Sequence, residues 1–364
     1  MTRKKRFIMA GGGTGGHIFP AIAIANAIME AFPEAEFLFV GARGKMEMEK
    51  VPEAGYRIEG LTIAGFDRGS LIKNIGLPFK LVKSFFQVAG IFRKFNPDAV
   101  IGVGGYSSFP VLKYAQARGV PTFIHESNSF AGKSNILLGK KASKIFTSCE
   151  GMEKFFPKDR ILISGNPVRK NIAAPVSRKE ALSFFGLSED RKTILIVGGS
   201  LGARSINEAI DSNLEQLDQA GVQVIWQTGK PFHEKARLRS TSFNWVRVHD
   251  FLNRMDLAYK AADVVISRSG AMAVSELCIA GKPVIFVPFP HAAEDHQTSN
   301  AKRLVEKEAA LMIKDEEVKS LLIPRLLELL KDEALQQKLK ENILKLAVWD
   351  ADKIVAEKIL KALN

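Results

Sequence analysis

Cysteine is nearly absent from this chain, and several classes of protein are excluded with it. The 364 residues include two cysteines, Cys149 and Cys278, which lie far apart and form no CxxC pair. They supply neither a disulfide framework nor a zinc site and are typical of a reducing cytoplasm. We find no run of about 18 apolar residues and no signal-peptide core after the basic start, so we expect a cytosolic chain without a membrane span.

The chain also lacks the signatures of several enzyme classes. It contains no GxSxG, no HExxH and no P-loop motif, so a serine hydrolase, a zinc protease and a P-loop kinase are unsupported. The loop at residues 288–297 holds two histidines and two carboxylates, but their spacing fits no zinc pattern. We therefore predict no metal and no cofactor, and interpret this loop as a sugar- or phosphate-binding segment.

Acidic residues are scarce in the first half. Residues 1–165 carry 23 lysines and arginines against 13 acidic residues, a net charge of +10, whereas residues 166–364 carry 29 against 26, a net charge of +3. From Arg68 to Phe95 there is no acidic residue, and basic residues alternate with apolar ones. This pattern favours a segment lying on an anionic membrane leaflet, with a core helix and its solvated basic flank as the alternative. Nucleic acid is not predicted, because no recognition motif accompanies the charge.

Short apolar stretches alternate with amphipathic ones along the whole chain. Strands are predicted at residues 7–10, 36–40, 99–103, 122–125 and 144–148, and again at 193–197, 222–227, 263–267 and 283–287. The pattern predicts an α/β protein with two Rossmann-like, doubly wound domains that face each other across a cleft. Turn-forming residues at 164–167 place the boundary, which gives domains at 1–165 and 166–364. We expect a C-terminal helix at about 349–364 to pack back on the first domain.

A glycine-rich loop follows the first predicted strand and opens a helix. Gly11, Gly13 and Gly16 match the pattern GxGxxG, whose backbone amides favour a bound phosphate. The second strand ends at Arg43 without the carboxylate that NAD requires, so NAD is disfavoured and NADP stays open. His17 follows the loop, and its imidazole could act as a general base or bind a phosphate. The alternative is a histidine bonded to the local backbone.

Two strand-to-helix junctions in the second half have similar features. The loop at 198–203 places the hydroxyl of Ser200 where an oxyanion would sit, although a simple tight turn is the alternative. The junction at 267–276 has small residues at its helix start, so that this end is accessible to an anion. Glu276 lies about two turns further on, where a carboxylate could accept hydrogen bonds from sugar hydroxyls.

Taken together and in this order, these motifs resemble the MurG family of bacterial GT-B glycosyltransferases. The resemblance rests on GGTGGH at 12–17, GVGGY at 102–106, HESN at 125–128, GNPVR at 165–169 and the segments 198–203, 267–276 and 291–301, nearly the whole chain. It implies inverting transfer of N-acetylglucosamine from UDP-GlcNAc to undecaprenyl-pyrophosphoryl-MurNAc-pentapeptide (lipid I), which forms lipid II in peptidoglycan synthesis. It also implies peripheral binding to the cytoplasmic face of the inner membrane.

The resemblance further implies roles for individual residues. The UDP-GlcNAc site would comprise Thr14, Gly15, Gly16, Asn128, Arg169, Ser200, Leu252, Ala271, Met272, Ala273, Val274, Ser275, Glu276 and Gln297. The acceptor site would comprise Gly13, Gly104, Gly105 and Tyr106. For the displacement itself, we predict His17 as the catalytic base, with Glu126 as the alternative. Within the UDP-GlcNAc site, Arg169 and Ser200 would serve the diphosphate, Leu252 the uracil and Glu276 the ribose.

Two departures from the family pattern leave one contact open. Ser127 stands where glutamine is common, and His296 stands where some members have a second glutamine, so either His296 or Gln297 contacts the sugar. Two other function classes also remain: an NADP-dependent oxidoreductase, and a non-catalytic UDP-sugar sensor at the membrane surface.

Overall fold

Two α/β units divide the chain in the computed structural model. One comprises Met1–Arg169 together with Asp350–Asn364, and the other comprises Lys170–Trp349. The structure describes residues 4–65, 76–169, 172, 174–199 and 201–363.

In the first unit, strands alternate with helices around a parallel sheet. Its elements are β1 (Arg6–Gly11), α1 (Gly15–Ala31), β2 (Glu36–Ala42), α2 (Glu47–Glu53), β3 (Ile58–Leu61), α3 (Leu77–Phe95), β4 (Ala99–Gly104), α4 (Ser108–Ala117), β5 (Thr122–Glu126), α5 (Lys133–Gly139), β6 (Lys144–Thr147) and β7 (Ile161–Ile163). Among the described residues the strand order is β3-β2-β1-β4-β5-β6-β7. The winding direction reverses between β1 and β4, and ligands of such sheets bind beyond the strand ends at this point.

The second unit repeats the arrangement. Its elements are α6 (Arg178–Phe185), β8 (Thr193–Val197), α7 (Arg204–Asp211), α8 (Leu214–Gln219), β9 (Gln223–Gln227), α9 (Lys230–Arg239), β10 (Val246–His249), α10 (Met255–Ala261), β11 (Val264–Ser267), α11 (Ala271–Ala280), β12 (Val284–Phe286), α12 (His296–Val305), β13 (Leu311–Met312), α13 (Val318–Lys331) and α14 (Glu333–Leu344). The described strands pair in parallel in the order β10-β9-β8-β11-β12-β13. The reversal therefore falls between β8 and β11.

The last helix, α15 (Ala351–Ala362), belongs to the first unit and packs on α1. Its Val355, Ala356 and Ile359 are buried in the same apolar cluster as Phe7 and Ile24. Covering a parallel sheet on both faces requires helices on each side, and α15 completes one of these layers. The predicted fold class, two doubly wound parallel-sheet domains, is confirmed.

One predicted helix is interrupted. The sequence pattern after the loop at 198–203 predicts a single helix through residue 217, but α7 and α8 are separate. The side-chain amide of Asn213 donates to the carbonyl oxygen of Ala209 at 2.7 Å, four residues earlier. Such side-chain bonds to the backbone compete with helix continuation, which accounts for the break.

Within the described ranges, no helix has the length and apolarity to cross a bilayer.

Candidate functional site

The first glycine loop lies where the first sheet reverses its winding, and it packs backbone against backbone. Gly11, Gly12 and Gly13 have φ angles of +152°, +148° and +90°, in the range that favours glycine. The amide of Gly12 donates to the carbonyl oxygen of Gly104 at 3.3 Å. A Cβ atom at Gly105 would lie 2.4 Å from the Gly12 oxygen, so any side chain there would force the two turns apart.

His17 is held on this loop by its Nδ1 atom. That nitrogen lies 3.1 Å from the carbonyl oxygen of Gly12 and 3.5 Å from the Oγ1 of Thr14. A carbonyl oxygen can only accept, so Nδ1 carries the proton and Nε2 is the basic nitrogen of the neutral ring. A Cβ atom at Gly104 would lie 2.8 Å from Nε2, which shows that the basic nitrogen faces the Gly104 turn.

A buried carboxylate that the sequence analysis did not single out lies under the same loop. Glu47 is 1% exposed, and its Oε2 accepts the amide of Gly13 at 2.8 Å while its Oε1 accepts the amide of Ala42 at 2.9 Å. A Cβ atom at Gly12 would lie 2.3 Å from the Glu47 carboxyl carbon. The Gly13 amide, which the glycine pattern offers to a phosphate, is therefore bonded to a protein carboxylate.

Glu126, at the end of β5, organises the loop that follows it. Its Oε1 accepts the backbone amide of Asn128 at 3.1 Å and the side-chain amide of the same residue at 3.4 Å. Its Oε2 accepts the amide of Gly132 at 3.0 Å and the side-chain amide of Asn135 at 2.8 Å. Four N–H donors thus converge on one buried carboxylate.

The neighbouring His125 is fully buried and bonded at both ring nitrogens. Its Nε2 donates to the carbonyl oxygen of Gly165, and its Nδ1 accepts the hydroxyl of Ser127, each at 3.3 Å. The pKa of His125 is lowered to about 4, chiefly by burial, with the Gly165 bond opposing the shift and the nearby His17 adding to it. The ring is therefore neutral near pH 7. Ser127, one of the two departures from the family pattern, contributes directly to this arrangement.

Two aromatic side chains border these loops. The guanidinium carbon of Arg169, the last residue of the first unit, lies 5.3 Å from the centre of the Phe19 ring on α1. A Cβ atom at Gly15 would lie 3.0 Å from the same ring. Tyr106, which follows the Gly104–Gly105 turn, is half exposed, and its ring occupies the space beside Gly65 that a Cβ atom would need.

The second glycine loop is held by the last residue of β9 and the residue that follows it. Gln227 is buried, and its side-chain amide donates to the carbonyl oxygen of Gly199 at 2.9 Å. Gly202 has a φ of +77°, and a Cβ atom there would lie 1.8 Å from the carbonyl oxygen of Thr228. The loop is thus built on close backbone approach. Ser200, the predicted ligand of the diphosphate, lies outside the described residues.

Helix α11 begins directly after Gly270, close to the end of β11. Among its predicted contacts, Ala271, Met272, Ala273 and Ser275 are partly exposed, whereas Val274 and Glu276 are buried. The hydroxyl of Tyr259 donates to Oε2 of Glu276 at 3.2 Å. Leu252, in the segment after β10, is also buried. The structure therefore places the predicted ribose carboxylate inside the unit, with its orientation set by a tyrosine.

Gln297 ties the loop at 288–297 to the start of α11. Its side-chain oxygen accepts the amide of Phe289 at 3.0 Å, and its backbone oxygen accepts the hydroxyl of Ser269 at 2.8 Å. Glu294 and Asp295 have φ angles of +54° and +49°, and such strain in non-glycine residues concentrates at functional sites. In the part of the chain that the structure describes, no three histidine, cysteine or acidic side chains are grouped to hold a metal ion.

Arg268, which the sequence analysis did not assign a role, joins several loops of the second unit. Its Nη1 donates to Asp315 Oδ1 at 2.6 Å and to the carbonyl oxygens of Val287 and Pro288 at 3.1 and 3.0 Å. Its Nη2 donates to the hydroxyl of Ser205, on α7, at 3.2 Å. This buried arginine links the starts of α7 and α11 with the loop before α12.

The described part of the basic, apolar segment is α3, and its two halves differ. In the second half, Val88, Ile91, Phe92 and Phe95 are buried in the core. In the first half, Phe79 is 80% exposed and Phe86 is 75% exposed, with Val82 between them also exposed. These positions, three and four residues apart, fall on one face of the helix. Arg68 and Lys73, also part of the prediction, lie outside the described residues.

Comparisons with known proteins decide the family. The model of the glycosyltransferase family 28 N-terminal domain matches residues 7–147, and that of the C-terminal domain matches residues 193–354. A relative from Parabacteroides distasonis is 53% identical over 98% of both chains, and one from Phocaeicola vulgatus is 51% identical over 99% of this chain and 97% of its own. Both are named UDP-N-acetylglucosamine–N-acetylmuramyl-(pentapeptide) pyrophosphoryl-undecaprenol N-acetylglucosamine transferase. The crystal structure of Acinetobacter baumannii MurG is 30% identical, with a TM-score of 0.78 over 98% of this chain and 99% of its own.

The chain belongs to the MurG family. Membership of the MurG family confirms the resemblance found in the sequence and removes support for an NADP-dependent oxidoreductase. A UDP-glucose: anthocyanidin 3-O-glucosyltransferase, solved in complex with UDP, is 15% identical with a TM-score of 0.72 and shares the fold alone.

Proposed function

We propose that this chain transfers N-acetylglucosamine from UDP-GlcNAc to lipid I by a single in-line displacement that inverts the anomeric carbon. The observation that carries the proposal is the identity of about half of all residues, over nearly the whole length, with relatives named for this transfer. The chain is therefore a hexosyltransferase of glycosyltransferase family 28. What remains to be assigned is the role of each residue.

His17 is the proposed base. Its Nδ1 proton is donated to Gly12, so that Nε2 can take the proton of the attacking acceptor hydroxyl. A positioned general base contributes roughly 10²- to 10⁴-fold in rate. Glu126, the alternative, accepts four N–H donors, and protonating it would weaken those bonds. We therefore assign Glu126 to the support of its loop.

The donor is assigned to the second unit. Charge develops on the leaving diphosphate, and the N-terminus of α11 and the amides of the loop at 198–203 can stabilise it, with Ser200 and Arg169 as further ligands. Glu276 would accept hydrogen bonds from the ribose, and Leu252 would border the uracil. Gln297 is our choice for the sugar, because its side-chain oxygen accepts the amide of Phe289, which fixes the orientation of the carboxamide. Thr14, Gly15, Gly16 and Asn128 remain the proposed contacts of the donor sugar in the first unit.

The acceptor is assigned to the first unit. Gly13, Gly104, Gly105 and Tyr106 would contact the lipid-linked acceptor, with the Gly13 amide itself bonded to Glu47. The exposed face of α3, which we define as Phe79, Val82 and Phe86 with the neighbouring Lys80 and Lys83, would lie on the anionic cytoplasmic leaflet of the inner membrane. This surface would hold the enzyme where its lipid substrate resides.

The deciding experiment is transfer of radiolabelled sugar from UDP-GlcNAc to a lipid I analogue, with UDP-GalNAc as the control donor. We expect labelled lipid II analogue from UDP-GlcNAc. Binding of UDP-GlcNAc without release of UDP in the presence of acceptor would contradict the proposal and favour the sensor.

For the base, His17→Ala should lower kcat by roughly 10²- to 10⁴-fold while UDP affinity stays unchanged. A kcat within a few-fold of wild type would show that His17 is not the base.

A further inference from the structure

We infer that Glu47 is a positioning residue for the transfer, which orients His17 through the peptide bond between Gly12 and Gly13. This inference rests on the proposed function, in which Nε2 of His17 is the base. Glu47 touches neither substrate in this account; it acts on the base from the opposite side of the glycine loop.

The peptide unit between Gly12 and Gly13 connects the two side chains. Its N–H, which belongs to Gly13, donates to Oε2 of Glu47 at 2.8 Å. Its C=O, which belongs to Gly12, accepts the Nδ1 proton of His17 at 3.1 Å. In a trans peptide these two groups point in opposite directions, so carboxylate, peptide and imidazole form one continuous chain of hydrogen bonds.

The carboxylate is held firmly enough to fix that peptide. Glu47 is almost fully buried at the start of α2, and its second oxygen is occupied by the amide of Ala42. The space for the carboxylate exists because two neighbours have no side chain: Cβ atoms at Gly12 and Gly41 would lie 2.3 and 2.4 Å from Glu47 atoms. The Glu47 side chain therefore fills a space that exists only because Gly12 and Gly41 have no side chain.

This arrangement selects the tautomer that the reaction needs. Hydrogen bonds in series polarise one another, and a bond to a carboxylate is stronger than one between neutral groups. The peptide bonded to Glu47 therefore presents a fixed and more negative Gly12 oxygen, which favours the proton on Nδ1 of His17. The other nitrogen, Nε2, is then left basic. Carboxylates that orient catalytic histidines directly have this role, here transmitted through one peptide unit.

The test compares Glu47→Gln with Glu49→Gln. A glutamine at position 47 has one acceptor oxygen, so its amide group must face one of the two backbone N–H donors. Glu49 lies on the same helix, but its side chain is 70% exposed and pairs with Lys50, so its variant is a matched control. We expect kcat to fall by at least about tenfold in Glu47→Gln, as for other residues that orient a reacting ligand, with KM for UDP-GlcNAc unchanged and Glu49→Gln like wild type.

Two further measurements separate positioning from simple support of the fold. In spectra of 15N-labelled histidine, His17 should be the Nδ1–H tautomer in the wild type and in Glu49→Gln, and should lose that preference in Glu47→Gln. In the His17→Ala background, Glu47→Gln should change the residual kcat by less than about twofold, because the residue through which it acts is gone.

The outcomes distinguish this inference from the proposed function. If His17→Ala is inactive but Glu47→Gln keeps a wild-type kcat and tautomer, or lowers the rate equally with and without His17, the inference is wrong and the base stands. If His17→Ala is active, both the role of His17 as the base and the positioning role of Glu47 are wrong. Should Glu47→Gln fail to melt cooperatively, Glu47→Asp replaces it. The aspartate side chain is shorter by one methylene group, so its carboxylate cannot reach the amides of Gly13 and Ala42 in the same way. An unchanged His17 spectrum together with a lowered kcat in Glu47→Asp would overturn the inference.

Discussion

The exposed face of α3 allows a quantitative test of membrane attachment. Full burial of a phenylalanine side chain is worth about 1.5–3 kcal/mol. Phe79 and Phe86 are 80% and 75% exposed, so most of that free energy is available to a surface that covers them. Replacing both by serine should weaken vesicle binding by about 3 kcal/mol, on the order of a hundredfold.

The basic residues on the same turns make a separable contribution. Lys80 and Lys83 each add about 1 kcal/mol near an anionic leaflet, and this part is lost as salt screens it. Charge reversal at both positions should therefore weaken binding to vesicles containing phosphatidylglycerol. It should leave the weaker binding to pure phosphatidylcholine vesicles unchanged.

The assay is flotation of the protein with vesicles, at low and high salt. Phe184→Ser is the matched control, because Phe184 is also largely exposed but lies on α6 of the second unit. We expect wild type and Phe184→Ser to float, and the Phe79→Ser, Phe86→Ser variant to stay at the bottom of the gradient. All of them should turn over a soluble acceptor analogue equally. If the double variant floats like the control, the membrane does not bind at this face.

Two further predictions concern the buried groups of each unit. Glu276→Gln should raise KM for UDP-GlcNAc on the order of tenfold or more with a smaller effect on kcat, because hydrogen bonds to a charged group contribute about 1.5–3 kcal/mol. The affinity for UDP should weaken with it, as measured by UDP titration with tryptophan fluorescence as the signal. Unchanged affinity would remove Glu276 from the ribose site. His125 has a folded-state pKa of about 4 against an ordinary value of 6.5, so the unfolded chain binds the proton first and stability is lost as pH falls from about 6.5 towards 4. Between pH 7 and pH 5 the first unit should lose about 2 kcal/mol, and His125→Asn should abolish this contribution. Hydrogen exchange of the first unit measures this loss of stability. The tryptophans, all in the second unit, report the stability of that unit and provide the control. The same dependence of stability on pH in His125→Asn would contradict the assignment.

The strands that were predicted from the sequence are those buried on both faces. The stretch at 193–197 is apolar after Thr193 and matches β8, whereas β3 carries Glu59 and Gly60 and was missed. Strand β3 lies at the edge of its sheet, where one side needs no apolar partner and the hydrophobic signal weakens. Strand β13 also lies at an edge and has only two residues.

The candidate site was likewise predicted only in part. Glycine loops and His17 are visible in the sequence, because phosphate-binding patterns are local. Glu47 stands in the stretch KMEMEK, which is typical of a solvated helix, and its burial depends on glycines at positions 12 and 41. The bonds of Arg268 join segments up to 63 residues apart in the chain, and the four donors to Glu126, although at most nine residues away, belong to no recognised motif. No spacing rule predicts them.

The return of α15 to the first unit has a consequence for how the protein is made. The core around α1 is incomplete until Val355, Ala356 and Ile359 have been synthesised, whereas all of the second unit precedes them. On the ribosome, the second unit can therefore finish folding before the first one, the reverse of the usual order. For the same reason, the first unit produced in isolation needs the final helix in the same polypeptide, joined either after residue 169 or ahead of residue 4.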